Sequence, residues 1–196
     1  MSKFAGKKTD NGPLNIKLDL RRESVSKINN CDVLEIFCGS GKMYNLIWSD
    51  YRKYTGIDKV KQFDKRHTIC GDALKALTKL KLSDYNVFDI DSYGSPYMVL
   101  NYVSRNLKIN RKTAFIITDG SSMDLRMGRI SEGIRSIINI DNHILKKANN
   151  IHHFLIDLII KKTCEKMSAK VDNFKIAKGN TGASVIYYFF TVYPLN

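Results

Sequence analysis

The chain is poor in the residues and patterns that mark secreted, membrane-spanning or metal-binding proteins. Its 196 residues include only three prolines and four cysteines, and the cysteines form no closely spaced pair of the kind that binds zinc. No apolar run is long enough to span a bilayer, and the polar, basic start offers no secretory signal. We therefore expect a cytoplasmic protein with reduced thiols and without a metal site, a disulfide framework or a membrane association.

Acidic residues are also scarce. The chain has 19 aspartates and glutamates against 32 lysines and arginines, and its net charge is +13. Such an excess favours a polyanionic partner such as nucleic acid. The chain is also rich in lysine, asparagine and isoleucine, so a drift in composition could produce the same excess. Charge therefore supports a nucleic-acid partner without establishing one.

Hydrophobic residues make up 43% of the chain, which is enough for a sizeable core. We expect a flexible basic arm over residues 1–12 and a single domain over 13–196. Apolar runs predict strands at 32–37, 54–58, 67–70, 85–91, 113–118, 171–176 and 183–193. Helical spacing predicts helices at 42–51, 73–80, 98–107 and about 131–168, after an irregular or short helical lead-in at 13–30. The alternation indicates an α/β fold with a parallel sheet, closed by two antiparallel strands.

A glycine turn follows the first predicted strand. Gly39-Ser40-Gly41 would place backbone N–H groups at the carboxyl edge of the sheet, where open α/β sheets bind nucleotide-like ligands. A dinucleotide fingerprint would need a third glycine at Tyr44, and a phosphate-binding P-loop would need serine or threonine at Met43. The turn is therefore typical of neither site. An ordinary strand–turn–helix with glycines for packing is the simpler alternative.

The same segment resembles motif I of the class I methyltransferases, E/D-x-x-x-G-x-G, which reads Glu35-Ile-Phe-Cys-Gly39-Ser-Gly41 here. The resemblance implies a Rossmann-like fold, with a mostly parallel seven-stranded sheet and a C-terminal antiparallel hairpin. It also implies S-adenosylmethionine as the cofactor and S-adenosylhomocysteine as the product. Glu35 would attract the amino group or the sulfonium of the cofactor. The other residues expected to line the cofactor site are Phe37, Gly39, Ser40 and Gly41.

Carboxylates follow four successive predicted strands and would converge on one crevice. Asp58 lies where an acid hydrogen-bonds both ribose hydroxyls of a bound nucleoside, and Lys59 or Val60 could pack on the adenine. Asp72 would accept a hydrogen bond from the adenine amine, with the backbone N–H of Ala73 completing that edge. Each of these acids could instead cap a loop or a helix.

The segment after the fourth predicted strand carries the most specific pattern. Residues 89–96, DIDSYGSP, resemble the D-hydrophobic-D-P-F/Y-G-S-P motif of the tRNA guanine-N2 methyltransferases at seven of eight positions. Ser92 replaces the proline of the motif, which removes a stiff element from the backbone. The resemblance implies that Asp91 accepts a hydrogen bond from the target amine or takes its proton. It also implies that Tyr93 stacks on the target base.

The remaining residues of this motif have supporting roles by the same resemblance. Asp89 is expected at the cofactor, and Ser95 and Pro96 are expected at the substrate. A tight Gly-Ser-Pro turn with Tyr93 as a packing residue is the structural alternative.

Arginines outside the two motifs are further candidates. Residues 20–25, LRRESV, resemble the L-N-R-D segment of the same family, with Arg22 and the following acid in the places of R and D. Arg126, Arg129 and Arg135 follow the fifth predicted strand and could contact phosphates. Solvated charge on a helix surface is an equal alternative for these three.

These motifs together predict a methyltransferase that uses S-adenosylmethionine to modify an exocyclic base amine, guanine N2-like, in RNA or tRNA. RNA is favoured over DNA as the nucleic-acid partner. We expect the chain to be too short to hold that family's additional RNA-binding domain, so its substrate could differ from that of the family. A protein partner could also supply substrate recognition. A DNA amino-methyltransferase and a catalytically silent nucleic-acid-binding protein of the same fold are the alternatives.

Overall fold

The computed structural model describes residues 14–141, 151–179 and 185–195. The basic arm expected at residues 1–12 lies outside these ranges, as do the middle of the expected 131–168 helix and part of the last connection. No helix within the described ranges combines the length and the apolar character that a membrane crossing requires.

Seven strands of the described chain form one sheet in the order β3-β2-β1-β4-β5-β7-β6. They are β1 (Asp32–Ile36), β2 (Lys53–Asp58), β3 (Thr68–Cys70), β4 (Val87–Asp91), β5 (Thr113–Asp119), β6 (Ala169–Lys178) and β7 (Ile186–Pro194). Neighbours among β1 to β5 pair in parallel, and β7 lies antiparallel to both β5 and β6. The expected mostly parallel sheet with a closing antiparallel pair is confirmed.

Helices cover both faces of this sheet. They are α1 (Leu14–Val25), α2 (Lys42–Leu46), α3 (Ala73–Leu77), α4 (Tyr97–Asn106), α5 (Ser122–Arg126), α6 (Glu132–Ile138) and α7 (His152–Lys166). The buried residues form a larger cluster that includes α3, α4, α6 and α7, and a smaller one that includes α1 and α2. Because both faces are covered, every residue of β5 is buried, and its residues 114–117 form a continuous apolar run.

Alternate residues of β4 face opposite sides of the sheet. Phe88 enters the larger cluster and stacks on Phe115 of β5, with ring centroids 5.2 Å apart, whereas Val87 enters the smaller cluster. Asp89 and Asp91 therefore share the face that α1 covers. Glu35 of β1 pairs in register with Asp89, so three carboxylates lie on this face near the carboxyl edge of the sheet.

The lead-in expected before β1 is a continuous helix of 12 residues. Its buried face includes Arg21 and Ser24 beside Leu18 and Val25. Because these two polar residues occupy positions on the buried face, the sequence lacks the regular apolar spacing by which an amphipathic helix is usually identified.

Three other expected helical regions are shorter than predicted, and the one at 73–80 is helical only over Ala73–Leu77. The helix after the glycine turn ends at Leu46 and is followed by a 3-10 turn at Trp48–Asp50. Among the residues that the structure describes, the expected long helical region contains α6, which ends at Ile138 before the left-handed Asn139 with φ of 59°, and α7, which begins at His152. Asparagine tolerates this left-handed conformation better than most residues, so it is a common stop for a helix.

Candidate functional site

The carboxyl ends of β1 to β5 meet at one edge of the sheet, and the glycine turn lies there between β1 and α2. Phe37, Gly39 and Gly41 have left-handed φ angles of 70°, 46° and 83°, so the chain reverses sharply. A Cβ added at Gly39 would meet no atom within 4 Å, which leaves open space beside the turn. Ser40 is exposed. The turn therefore presents accessible backbone and a hydroxyl group to a ligand.

Asp58 at the end of β2 fastens the glycine turn. Its Oδ2 accepts a hydrogen bond from the backbone N–H of Gly39 at 2.9 Å, and its Oδ1 accepts one from Val60 at 2.9 Å. A carboxylate oxygen can accept two hydrogen bonds, so each oxygen keeps capacity for one more. The half-buried carboxylate is thus fixed beside the turn and can still bind hydroxyl groups. The neighbouring side chain of Lys59 is exposed.

Asp72 is the N-cap of α3. Its exposed side chain accepts a hydrogen bond from the backbone N–H of Lys75 at 3.2 Å, while Ala73 is buried. The capping role considered from the sequence is therefore the role that this side chain has in the structure. Its exposure leaves the carboxylate accessible to a ligand as well.

Two acids expected at the cofactor lie inside the protein instead. Asp89 has no exposed surface. The guanidinium of Arg21 donates one hydrogen bond to each of its two oxygens, at 2.7 and 2.8 Å. Trp48 Nε1 donates a third hydrogen bond to Asp89 at 2.9 Å. Glu35 is also buried and accepts a hydrogen bond from the hydroxyl of Tyr54 at 2.5 Å. Direct cofactor contact needs a solvent-facing carboxylate, so this placement does not support that expectation for Glu35 or Asp89.

The two buried acids differ in their partners. Burial, and next the neighbouring charge of Asp89, raise the pKa of Glu35 well above its usual value. Burial raises the pKa of Asp89 as well, but the charge of Arg21 opposes that shift. The charged guanidinium of Arg21 donates hydrogen bonds to Asp89, whereas only the neutral hydroxyl of Tyr54 donates to Glu35. Asp89 is therefore the ionised acid of the pair and Glu35 the protonated one.

Asp91, the next acid on this face, reaches the surface with 17% of its side chain exposed. Lys17 Nζ of α1 lies 2.8 and 3.0 Å from its two oxygens, and Arg21 Nη2 lies 3.5 Å away. Burial opposes ionisation of Asp91, but the charges of Arg21 and Lys17 outweigh it, and the pKa of Asp91 falls below its usual value. Asp91 is therefore a carboxylate at neutral pH.

Hydrogen bonds fix the loop after β4 where the related motif has a proline. The hydroxyl of Ser92 lies 2.8 Å from the carbonyl oxygen of Gly94 and 3.1 Å from that of Thr118 on β5. The carbonyl of Gly94 also accepts from the backbone N–H of Gly120 at 3.0 Å. The loop thus holds Tyr93 outward, with 76% of its surface exposed. That exposure does not fit the packing role considered for Tyr93.

The other expected substrate residues lie around this loop. Ser95 Oγ is 2.9 Å from Ser131 Oγ, and Pro96 is the buried N-cap of α4. Arg126 and Arg129 are exposed, and Arg129 pairs with Asp124 of α5 at 3.3 Å.

Two other arginines are placed differently from their sequence roles. Arg135 is half-buried, and its Nε has no hydrogen-bond partner among the described residues. Arg22, the arginine matched to the family segment, is exposed and lies 4.0 Å from Asp19. The preceding Arg21 is the residue that reaches the site.

Sequence reasoning also missed a buried cluster at the end of β5. The carboxylate of Asp119 accepts hydrogen bonds from the hydroxyl of Tyr97 at 2.5 Å and from the backbone N–H of Ser121 at 2.9 Å. His152 Nε2 lies 2.8 Å from the same carboxylate, and its Nδ1 is 3.3 Å from Ser122 Oγ. The cluster joins α7 to β5 across 33 residues of sequence, a separation at which no local motif exists to reveal it.

No protein-family model matches this chain, and a search of curated proteins found no match. Solved structures share its fold. TYW2 of M. jannaschii, in complex with AdoMet, has a TM-score of 0.60 at 12% identity, over 97% of this chain and 80% of that chain. Trm1 of Pyrococcus horikoshii, in complex with S-adenosyl-L-methionine, has a TM-score of 0.64 at 13% identity, over 95% and 56%.

A putative hemolysin from Lactococcus lactis is similar to the same degree, with a TM-score of 0.60 at 13% identity over 92% of this chain and 86% of that chain. Identities this low show the fold alone. The chain has the Rossmann-like class I methyltransferase fold, with a mostly parallel sheet and an antiparallel C-terminal pair.

Proposed function

We propose that this protein is an S-adenosylmethionine-dependent methyltransferase that acts on an exocyclic base amine in RNA. One observation carries the proposal. An ionised carboxylate, Asp91, lies beside an outward-facing aromatic ring, Tyr93, at the same sheet edge as an open glycine turn. This arrangement offers an acceptor for an amine, a surface for a base and a place for a nucleoside along one edge of the sheet.

The residues at the glycine turn fit the cofactor. Open space beside Gly39 admits a ligand against the backbone, and the free acceptor capacity of Asp58 suits two ribose hydroxyls. Ser40 and Asp72 are accessible at the same edge. S-adenosylmethionine, when bound, supplies the methyl group. TYW2 and Trm1, which share the fold, each bind this compound, and that supports the assignment.

Asp91 has the properties of an acceptor for the target amine. The lowered pKa makes it a weak base, so its contribution is to hold the amine by charge and hydrogen bonds. The ammonium of Lys17 lies within 3.0 Å of both oxygens, so Asp91 already accepts hydrogen bonds from an N–H donor. The target amine has to share or displace this contact. Tyr93 then offers its exposed ring to the target base.

The choice of RNA rests on the motif after β4 and on charge. The resemblance of residues 89–96 is to tRNA guanine-N2 methyltransferases, and Ser92 retains a fixed loop by hydrogen bonding. A net charge of +13 favours a polyanion. Arg126 and Arg129 follow β5 in the chain and are exposed, so they are accessible to phosphates.

The proposal is tested by methyl transfer from labelled S-adenosylmethionine to RNA, DNA and protein in separate reactions. We expect label in RNA, and we expect Asp91→Ala to lose most transfer while calorimetry shows cofactor binding unchanged. Asp91→Asn keeps an oxygen acceptor without the charge, so a large loss in this variant as well would support charge as the main contribution. Label in DNA alone would contradict the RNA assignment. Cofactor binding without transfer to any nucleic acid would contradict the enzyme and favour a silent binder.

A further inference from the structure

The loop between β2 and β3, residues 59–67, exposes two large apolar side chains. Phe63 has 88% of its surface exposed, the largest value among the large hydrophobic residues described, and Val60 has 67%. Neither residue belongs to the buried clusters or to the partly buried residues packed against them. Isolated exposed hydrophobic residues are ordinary on protein surfaces, so exposure alone does not indicate a function for Phe63.

A fixed anchor holds this loop in place. Arg66 is buried, and its guanidinium donates hydrogen bonds to the carbonyl oxygens of Gly39 at 2.9 Å and Cys38 at 3.3 Å. Asp64 binds the same guanidinium and the backbone N–H of Arg66. A Cβ at Gly41 would lie 2.6 Å from the Arg66 Cζ, so the glycine allows this close contact. The loop is therefore fastened to the glycine turn while Phe63 points away from the core.

The charge around Phe63 is positive. Lys59, Lys61 and Lys65 are exposed, and no carboxylate within the described ranges forms an ion pair with them. The one acid of the loop, Asp64, is already bound by Arg66. Lys61 Nζ lies 5.2 Å from the centroid of the Phe63 ring, so cation and ring form one surface.

We infer that this loop, here named the Phe63 loop, binds single-stranded RNA. Phe63 stacks on a base, and Lys61 and Lys65, which lie on either side of it in the chain, contact the adjacent phosphates. Exposed aromatic rings among unpaired cations are the combination that binds single strands without reading their sequence. The loop lies at the sheet edge that also carries Asp91, so one strand of RNA could contact both. The inference rests on the proposed function only for the identity of the ligand, and its test measures binding without methyl transfer.

The test uses the full chain with Phe63→Trp and a fluorescently silent single-stranded RNA 12-mer. The only native tryptophan, Trp48, is buried, so the new side chain reports on the loop. Stacking of a base should quench and shift the emission of the Phe63→Trp protein on titration with RNA. The matched control is Phe174→Trp on β6, at the opposite edge of the sheet, where RNA should leave the emission unchanged.

Affinity gives a second readout, by anisotropy of a labelled 12-mer. Phe63→Ala should weaken binding about 5-fold to 100-fold, the range measured for one stacked base, whereas Phe63→Tyr should retain it. Equal affinity of wild type and Phe63→Ala, or unchanged emission of the Phe63→Trp protein, would overturn the inference. Quenching by S-adenosylhomocysteine but not by RNA would also overturn it and make the loop part of the cofactor site. A failure of methyl transfer would leave these binding results unaffected.

Discussion

Asp58 combines a structural and a ligand-binding role at the scale of one residue. Two backbone N–H groups fix its carboxylate beside the glycine turn, and the remaining lone pairs are the part available to a nucleoside. A side chain held by the backbone loses little freedom when a ligand binds, which favours affinity.

We predict that Asp58→Ala binds S-adenosylhomocysteine about 10-fold to 100-fold more weakly, since hydrogen bonds to a charged acceptor are worth about 1.5–3 kcal/mol. Calorimetry measures the affinity, and thermal unfolding verifies that the variant is folded. Asp58→Asn, which keeps one carbonyl oxygen, should fall between the two proteins. Unchanged affinity in a folded Asp58→Ala protein would remove Asp58 from the site.

Glu35 should make the stability of the protein depend on pH. Its pKa is raised in the folded state by burial and by the charge of Asp89, so the folded protein keeps a proton that the unfolded chain releases above about pH 4.5. The state that binds more protons is destabilised as pH rises. The contribution of Glu35 to the free energy of unfolding is therefore fully present below about pH 4.5, and it is lost as the pH rises through the raised pKa of the folded state.

We predict that Glu35→Gln, which stays neutral at every pH, lacks this loss. Urea unfolding of both proteins at pH 5 and pH 8 gives the comparison. The free energy of unfolding of the wild type should fall relative to that of Glu35→Gln between the two values. Parallel behaviour of the two proteins would show that Glu35 is ionised inside the fold.

At the scale of elements, the spacing of two cations along α1 matches the spacing of two carboxylates along β4. Lys17 and Arg21 are one helical turn apart, about 6 Å along the axis, and Asp89 and Asp91 are two strand residues apart, about 6.6 Å. Lys17 therefore pairs with Asp91, and Arg21 pairs with Asp89 and makes a longer contact to Asp91. The pairing fastens α1 across the sheet and gives the buried Asp89 its counter-charge.

Two adjacent arginines of α1 provide a matched test of this anchor. We predict that Arg21→Met lowers the free energy of unfolding by about 3–5 kcal/mol, because it leaves a buried carboxylate unpaired. Arg22→Met, on the exposed side of the same helix, should change it by about 0.5 kcal/mol or less. Urea unfolding measures both. Equal effects would show that the Arg21–Asp89 pair does not stabilise the fold.

The sheet could be predicted from the sequence because apolar runs and glycine turns are local signals, and β1 to β5 lie within a few residues of their expected positions. The placement of Asp58 and Asp91 at strand ends followed from the same signals. The burial of Glu35 and Asp89 could not be predicted locally, since it depends on Arg21, 68 residues before Asp89. The alternate spacing of Asp89 and Asp91 could have indicated that cations one helical turn apart, here Lys17 and Arg21, pair with them.

At the scale of the whole molecule, the basic excess has a measurable consequence. We predict that affinity for RNA falls steeply with salt, with a slope of log affinity against log salt of about −0.7 for each phosphate contacted by a single strand. Replacing the exposed Arg126, which forms no ion pair with another described residue, by glutamine should reduce this slope. Lys162→Gln on α7, whose cation already pairs with Glu165, is the control. Affinity that does not change with salt would attribute the excess to composition alone.

The contact between Lys17 and Asp91 sets a cost that every acceptor amine must meet. Under the proposed function, the amine has to displace a tethered ammonium at very high effective concentration, and this cost is the same for a free nucleoside and for RNA. An RNA chain offsets the cost with its additional contacts, whereas a free nucleoside has no such contacts and binds weakly. Lys17→Met should therefore lower the KM for a free nucleoside acceptor and the KM for RNA by a similar factor. An unchanged KM for both would indicate that Lys17 only supports α1.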